Sequence, residues 1–239
     1  MTQDRPPEPL PIRSNDLVGE SRLQQKPGGR FDPKTGSHFS ERALVAFDFD
    51  GTMTVEDSFS AFLKWRAGPA RWAVGCLKLA GAAAAYLVHR DRGRIKAAAI
   101  AEFLRGVPRA TLEDEARRFA ELKARSLLRP DALATWKRWR ADGARIVIVT
   151  ASPDVVVAPF ARALGADMLL GTHLAFDAND KVAGPLASLN CRGPEKVVRL
   201  KEAFGDDVRL TAAYGDTTGD TEMLAIAEEK GFRVFTARP

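Results

Sequence analysis

The 239 residues hold only two cysteines, Cys76 and Cys191, too few for a disulfide framework. Between Met1 and Gly36 there is no apolar core of a secretory signal, so a cytoplasmic protein is expected. There is no internal repeat and no recognised nucleic-acid-binding motif, so nucleic acid is not an expected partner. Long apolar runs are also scarce. The most extended, Trp72–Val88, is 17 residues with Lys78 inside it, at the lower limit of the roughly 17–25 residues of a membrane-spanning helix. Six alanines and two glycines weaken it further as a span.

The composition, 45% hydrophobic and 28% charged, is that of a globular protein with one good-sized core, or a core plus a small insert. The net charge of +5 is unevenly placed: residues 64–109 carry ten basic and two acidic side chains, whereas 110–239 balance. A basic patch attracts anionic partners such as a phosphorylated substrate or anionic lipid, although a solvated helical face rich in arginine would read the same way.

Residues 1–40 are rich in Pro, Gly, Ser, Gln and charge without apolar periodicity and are expected to be a disordered tail. "ALVAFDF", 43–49, and "ARIVIVT", 144–150, are continuously apolar, as in strands buried on both faces. Between them lies a helical region, roughly 57–142, in which Thr111 and Asp114 resemble a capping box. Further on, "SPDVVVAPFARALG" reads as a helix, "DMLLGT" as a strand and "HLAFDANDKVAG" as a hairpin turning at Asn179–Asp180. "PEKVVRLKEAFG" reads as a helix, "RLTAAYGD" as a strand, "TEMLAIAEEKG" as a helix and "FRVFT" as a last strand. Alternating strands and helices imply an α/β fold, a Rossmann-like parallel sheet with helices on both faces. The segment 57–142 is too long for one crossover and is expected to be an inserted α-helical cap with connecting helices. The core would then comprise 41–56 and 143–239.

Ligands of open α/β sheets bind beyond the carboxyl ends of the strands, and there the chemistry-bearing residues collect. Asp48 and Asp50 end the first strand on one side of it, with Phe49 turned away. Two carboxylates so close repel unless a cation or proton is shared. Thr150, Ala151 and Ser152 end the second strand, a hydroxyl and amides before a helix N-terminus, which suits an anion. Lys196 opens the "PEKVVRL" helix, and "YGDTTGD" places Asp216 and Asp220 across a glycine turn. Each taken alone also reads as a turn, a cap or a surface lysine; together they converge on one crevice.

In order and position, "DFDGTMT", "VTAS", Lys196 and "YGDTTGD" resemble the four motifs of the haloacid dehalogenase superfamily, over about 43–236. The resemblance implies an aspartyl-phosphate phosphatase. Asp48 would be the nucleophile and Asp50 the acid and base. Mg²⁺ would be held by Asp48, Asp50 (through its backbone carbonyl) and Asp216. Thr150, Ala151, Ser152 and Lys196 would bind phosphate, and Asp220 would support a metal-bound water or Lys196. The insert resembles the cap of the phosphoserine-phosphatase-like branch, subfamily IB. That enzyme has Glu nine residues after the nucleophile, where Asp57 stands here beside Glu56, and its carboxylate-binding cap arginine has no match here. "NCRGPEKVVRL", 190–200, is similar to phosphatidylglycerophosphatase C and CicA-type proteins. The expectation is therefore a Mg²⁺-dependent phosphomonoesterase, acting on a phospholipid phosphate such as phosphatidylglycerophosphate. Its alternatives are a soluble phosphatase for phosphoserine or a similar metabolite, and a catalytically silent regulatory relative. Residues 66–94, with Arg66, Arg71, Arg90, Arg92 and Arg94 around the apolar stretch, form either a buried cap helix or an interfacial helix on anionic lipid.

Overall fold

A computed structural model describes residues 42–80 and 92–239. The expected tail 1–40 and residues 81–91, which include the second half of the apolar stretch and Arg90, lie outside them. β1 (Leu44–Phe47), β2 (Arg145–Pro153), β3 (Met168–Thr172), β6 (Leu210–Gly215) and β7 (Ala227–Phe232) form one sheet in the order β3-β2-β1-β6-β7. All its pairs are parallel. β4 (Leu174–Phe176) and β5 (Val182–Leu186) form a separate antiparallel hairpin. The helices are α1 (Ser58–Lys78), α2 (Arg92–Phe103), α3 (Arg109–Leu127), α4 (Pro130–Ala141), α5 (Asp154–Leu164), α6 (Pro194–Phe204) and α7 (Thr221–Ala225).

The apolar strands serve two cores because side chains alternate across a strand. Val45, Phe47, Ile146 and Ile148 join Trp136 of α4 and Phe160 of α5 on one face. Ala46, Val147 and Val149 join Leu200 of α6 and Met223 of α7 on the other. The first core runs on into the helical insert: Phe160 lies 5.4 Å from Phe49 and 6.0 Å from Phe119, which lies 5.5 Å from Phe62. Tilted and edge-on rings at these spacings bury large apolar area with favourable quadrupole alignment. The insert is thus packed onto the same apolar mass that carries β1.

Three expectations change. The N-cap of α3 is Pro108 rather than Thr111, and it makes no side-chain cap bond. The hairpin supplies the acceptor that a capping box would have: the Arg109 amide donates to the Asp180 carbonyl (2.9 Å) and Pro108 bridges to Lys181. The last helix stops at Ala225, and "AEEKG", the end of the expected helix, forms with Phe232 the edge strand β7 in place of the expected strand "FRVFT", with Arg233 at φ 55 ending it. Pairing from Leu210–Ala227 to Gly215–Phe232 overrides the local helix preference. Gly231 admits the Tyr214 ring, whose Cδ1 would lie 2.2 Å from any Cβ there. Glu228, Glu229 and Lys230 are exposed, charges that keep an open sheet edge from pairing further. Finally, β2 runs on to Pro153, so Ala151 and Ser152 are strand residues and α5 begins only at Asp154.

Candidate active site

β1 delivers Asp48 to the sheet's carboxyl edge, where the Asp48 amide donates to the Tyr214 carbonyl (2.9 Å) and so prolongs the β1–β6 ladder. α6 begins after Gly193 (φ 61) with Pro194 at its first turn and points Lys196 inward. The lysine is 1% exposed. Its Nζ meets Asp48 Oδ1 (2.6 Å), Asp220 Oδ1 (2.7 Å) and the Val149 carbonyl (2.6 Å), which uses all three ammonium donors. Burial opposes its charge, but Asp48 and Asp220 outweigh burial and hold the ammonium above the usual lysine range.

Asp220 is fixed by its own turn. Its Oδ2 accepts from the amides of Asp216 (3.2 Å) and Thr217 (2.9 Å) and from the Thr217 hydroxyl (3.1 Å), closing a capping box. Gly215 permits this turn, since a Cβ there would lie 2.5 Å from that of Asp220. Burial would raise Asp220, yet Lys196 and the Thr217 donors hold its carboxyl below the usual range.

Asp48 and Asp216 are less well supplied. Burial, reinforced by Asp220 and Asp50, pushes Asp48 up to about 7 against the pull of Lys196. Burial and Asp220 also raise Asp216. The Thr52 hydroxyl stands between Asp48 Oδ2 (3.2 Å) and Asp216 Oδ1 (3.3 Å), but one hydroxyl donates one proton and leaves one carboxylate without it. Gly51 (φ 83) keeps the space beside them: a Cβ would sit 2.3 Å from Asp216 Oδ2. Asp48, Asp216 and Asp220 bring oxygens within 4.8 Å of one another. Both oxygens of Asp220 and Oδ1 of Asp48 are already engaged, so among the described residues Asp48 Oδ2 and Asp216 are the acceptors short of a positive partner. This all-oxygen, charge-frustrated donor set fits a hard divalent ion such as Mg²⁺.

Asp50 is held by other partners. Its Oδ1 accepts from the Ser58 amide (2.7 Å), and its Oδ2 from the hydroxyls of Ser152 (2.5 Å) and Thr150 (3.4 Å). Burial, then the Asp57 carboxylate, raises its pKa, while the serine donors partly offset the rise. The Thr150 and Ser152 hydroxyls, expected on phosphate, therefore address Asp50, and the Ser152 amide donates to Thr150 Oγ1 (3.1 Å) rather than standing free. Ala151 does line the cavity.

That cavity has a volume of about 600 Å³ and is lined by Asp48, Asp50, Asp216, Asp220 and Lys196. Among the polar residues not singled out above, Lys96 of α2, Asn190 and Arg192 also line it. Lys96 Nζ donates to the Ala151 carbonyl and to Asn190 Oδ1 (3.2 Å). Burial lowers its pKa, which Asp57 and Asp50 partly restore. Nothing in "RGRIKAAAIAEF" separates this lysine from its basic neighbours; only the placement of α2 does. Arg192 reaches Thr218 Oγ1 (3.2 Å) across Gly219, where a Cβ would lie 1.8 Å from its Nη1. Phe59, Leu63, Trp72, Leu79 and Phe103 give the cavity an apolar wall.

Two arginines of the basic segment are tied within the insert. Arg66 pairs with Glu115 (2.6 Å), and Arg71 pairs with Glu102 (2.7 Å) and lies over the Phe103 ring (4.9 Å). Trp72 stacks on Phe103 (5.2 Å), whereas Val74 and Leu77 are 52% and 77% exposed. α1 thus has a packed side and an apolar outward side. Among the described residues no helix is long and apolar enough to cross a membrane.

Residues 45–225 match the family of haloacid dehalogenase-like hydrolases. Protein CicA of Caulobacter vibrioides (strain NA1000 / CB15N) is 62% identical over 207 residues, covering 87% of this chain and 93% of that one. A protein of unknown function from Bordetella pertussis Tohama I shares the fold with a TM-score of 0.64 at 21% identity, over 77% of this chain and 86% of its own. A substrate-bound phosphoserine phosphatase gives 0.56 at 19%, over 80% and 86%. A phospho-aspartyl intermediate analogue of phosphoserine phosphatase gives 0.53 at 19%, over 79% and 85%.

Proposed function

Because the chain belongs to the haloacid dehalogenase-like hydrolase family, we propose that it is a Mg²⁺-dependent phosphomonoester hydrolase working through an aspartyl-phosphate on Asp48. One observation carries this reading: a buried lysine joins two aspartates from different elements at a cavity that also holds Asp50 and Asp216. Structural ion pairs have no need of a cavity, and buried ones are weak sources of stability.

Asp48 attacks phosphorus as the bond to the leaving oxygen breaks, and Asp50 gives that oxygen its proton. Burial suits Asp50 to this, since it keeps the proton bound at a higher pH than an exposed carboxyl would. Asp50 then takes a proton from water as the water attacks phosphorus, and the bond to Asp48 breaks to release phosphate. Lys196 orients Asp48 and offsets phosphate charge; the Ala151 edge borders the phosphoryl position, with Thr150 and Ser152 holding Asp50. Asp48, Asp216 and the Asp50 carbonyl would hold Mg²⁺, which would neutralise phosphate oxygens when bound. Asp220 keeps Lys196 in place. In this reading 57–142 is the cap over a core of 41–56 and 143–239.

For the leaving group, we favour an amphiphile: a membrane phospholipid phosphate such as phosphatidylglycerophosphate. Its support is a cavity lined both by cationic Lys96 and Arg192 and by the apolar side chains of Phe59, Leu63, Trp72, Leu79 and Phe103. Among the described residues Lys96 Nζ hydrogen-bonds neutral oxygens, those of Ala151 and Asn190, so a second anionic group of the substrate would complete it. Exposed Val74 and Leu77 suit a peripheral contact with the membrane, where such a substrate resides. Two measurements test this. A panel of phosphatidate, phosphatidylglycerophosphate and phosphoserine with Mg²⁺ should show the highest kcat/KM for phosphatidylglycerophosphate. Preference for phosphoserine would replace the lipid reading with the soluble one, and no turnover of any ester would favour a silent regulator. Lys96→Met should raise KM for the preferred doubly anionic substrate by about tenfold, the loss of one charge-assisted hydrogen bond, and leave p-nitrophenyl phosphate within about twofold. An equal effect on both esters would remove Lys96 from leaving-group recognition.

A further inference from the structure

The turn that carries Asp50 is sewn to the junction of α3 and α4. The Val55 amide donates to the Leu127 carbonyl (2.9 Å), Thr54 bridges to Leu128, and the Arg129 amide donates to the Met53 carbonyl (2.8 Å). The Arg129 side chain then grips the same turn. Its Nε lies 3.2 Å from the Gly51 carbonyl and 3.1 Å from that of Thr54, and its Nη1 donates to the Ala237 carbonyl (3.1 Å). Three carbonyls from two remote segments thus share one half-buried guanidinium. Asp131, two residues on, accepts from the amides of Thr236 (2.7 Å) and Ala237 (2.9 Å) and holds the second segment in place.

Gly51 is the point of leverage. It follows Asp50, has φ 83, and packs its Cα against Asp216. A shift of the Gly51 peptide would carry the Asp50 backbone with it and change the spacing to Asp216. The Asp50 carboxylate is gripped by Ser58 at the start of α1 and by Ser152 and Thr150 of β2, but among these bonds none restrains the Gly51 carbonyl. Arg129 does, through one Nε–H shared between the Gly51 and Thr54 carbonyls while Nη1 holds Ala237, and a planar guanidinium suits such a split. A guanidinium presents several donors in fixed directions, whereas an ammonium is a point charge on a flexible stem.

We propose that Arg129 is a positioning residue, a clamp that sets the Asp50–Gly51 turn through the Gly51 and Thr54 carbonyls and ties it to the segment 236–237. The proposal rests on the phosphatase reading for its kinetic consequence, but not for the clamp itself. In Arg129→Ala, kcat on p-nitrophenyl phosphate with Mg²⁺ should fall about 10- to 100-fold, as for a small misplacement of a catalytic group, with KM changed less than about threefold. Millimolar guanidinium should restore a large part of the loss, and the same concentration of urea should not. Hydrogen exchange should quicken at the amides of 51–55 and remain at the wild-type rate in β2 and α6. Arg129→Lys, which keeps the charge but loses the fork, should show the same local quickening and serves if the alanine variant does not fold.

Wild-type kcat in Arg129→Ala would overturn the proposal. So would wild-type exchange at 51–55 in the variants, or a loss of activity accompanied by quickened exchange throughout the fold and unrelieved by guanidinium. A wild-type protein inactive on every phosphomonoester would sink the phosphatase reading alone, and the exchange measurement would then decide the clamp by itself.

Discussion

Replacing Asp48 with Asn should lower phosphomonoester turnover by about 10⁴-fold or more, because no other group can form the covalent intermediate. The fold should survive. Removing one partner of a buried ion pair commonly costs about 3–5 kcal/mol by stranding the other charge, but Lys196 keeps Asp220 and the Val149 carbonyl. The removed carboxylate is itself raised to about 7 by burial, so an amide there avoids a desolvation cost that the aspartate bears. Asp48→Asn should therefore unfold at or near the wild-type temperature while forming no base-labile phosphoprotein intermediate. Turnover near the wild-type rate in that variant, or the same phosphoprotein, would place the nucleophile elsewhere.

The second large effect concerns the cation. In metal-free protein the folded-state pKa of Asp48, about 7, stands above its ordinary value of 3.8. Stability from its protonated form is therefore complete below pH 4 and is lost as pH rises through 7. The raised values of Asp50 and Asp216 act in the same direction. The Asp48 shift alone corresponds to at most about 4 kcal/mol, or roughly 10 °C in Tm for a chain of this size. In EDTA, Tm should fall as pH is raised from about 5 to about 8, because the frustrated carboxylates are then charged. With saturating Mg²⁺ the decline should largely disappear, since the ion binds the folded state and neutralises them. Activity should vanish in EDTA and return with Mg²⁺. Equal pH slopes with and without Mg²⁺ would show that these carboxylates do not hold the ion.

The central strands were legible because a strand buried on both faces must be apolar throughout, and "ALVAF" and "RIVIV" are so with no helical period. The chemistry was legible because polar residues that end such strands stand out against them: Asp48, Asp50, Asp216 and Asp220 all sit at sheet edges or on the turns after them. The two large corrections fall where local preference and tertiary pairing disagree. "AEEKGF" has helical composition, yet pairing with β6 and the Tyr214 ring over Gly231 make it a strand. Thr111 offers a capping hydroxyl, yet the hairpin carbonyl of Asp180 caps the helix earlier.

By itself the sequence determined the parallel α/β core, the inserted helices and the identity of the aspartates and lysine at the strand ends, because burial and strand period act over a few neighbouring residues. Only the tertiary structure decided which oxygens lack a donor, that Thr150 and Ser152 face Asp50, that Lys96 enters the cavity and that Arg129 clamps the turn. Those contacts join residues 55 to 108 positions apart, such as Lys96 with Ala151 and Arg129 with Ala237. At such separations a hydrogen bond depends on how whole helices pack, and no local pattern of residue types records it.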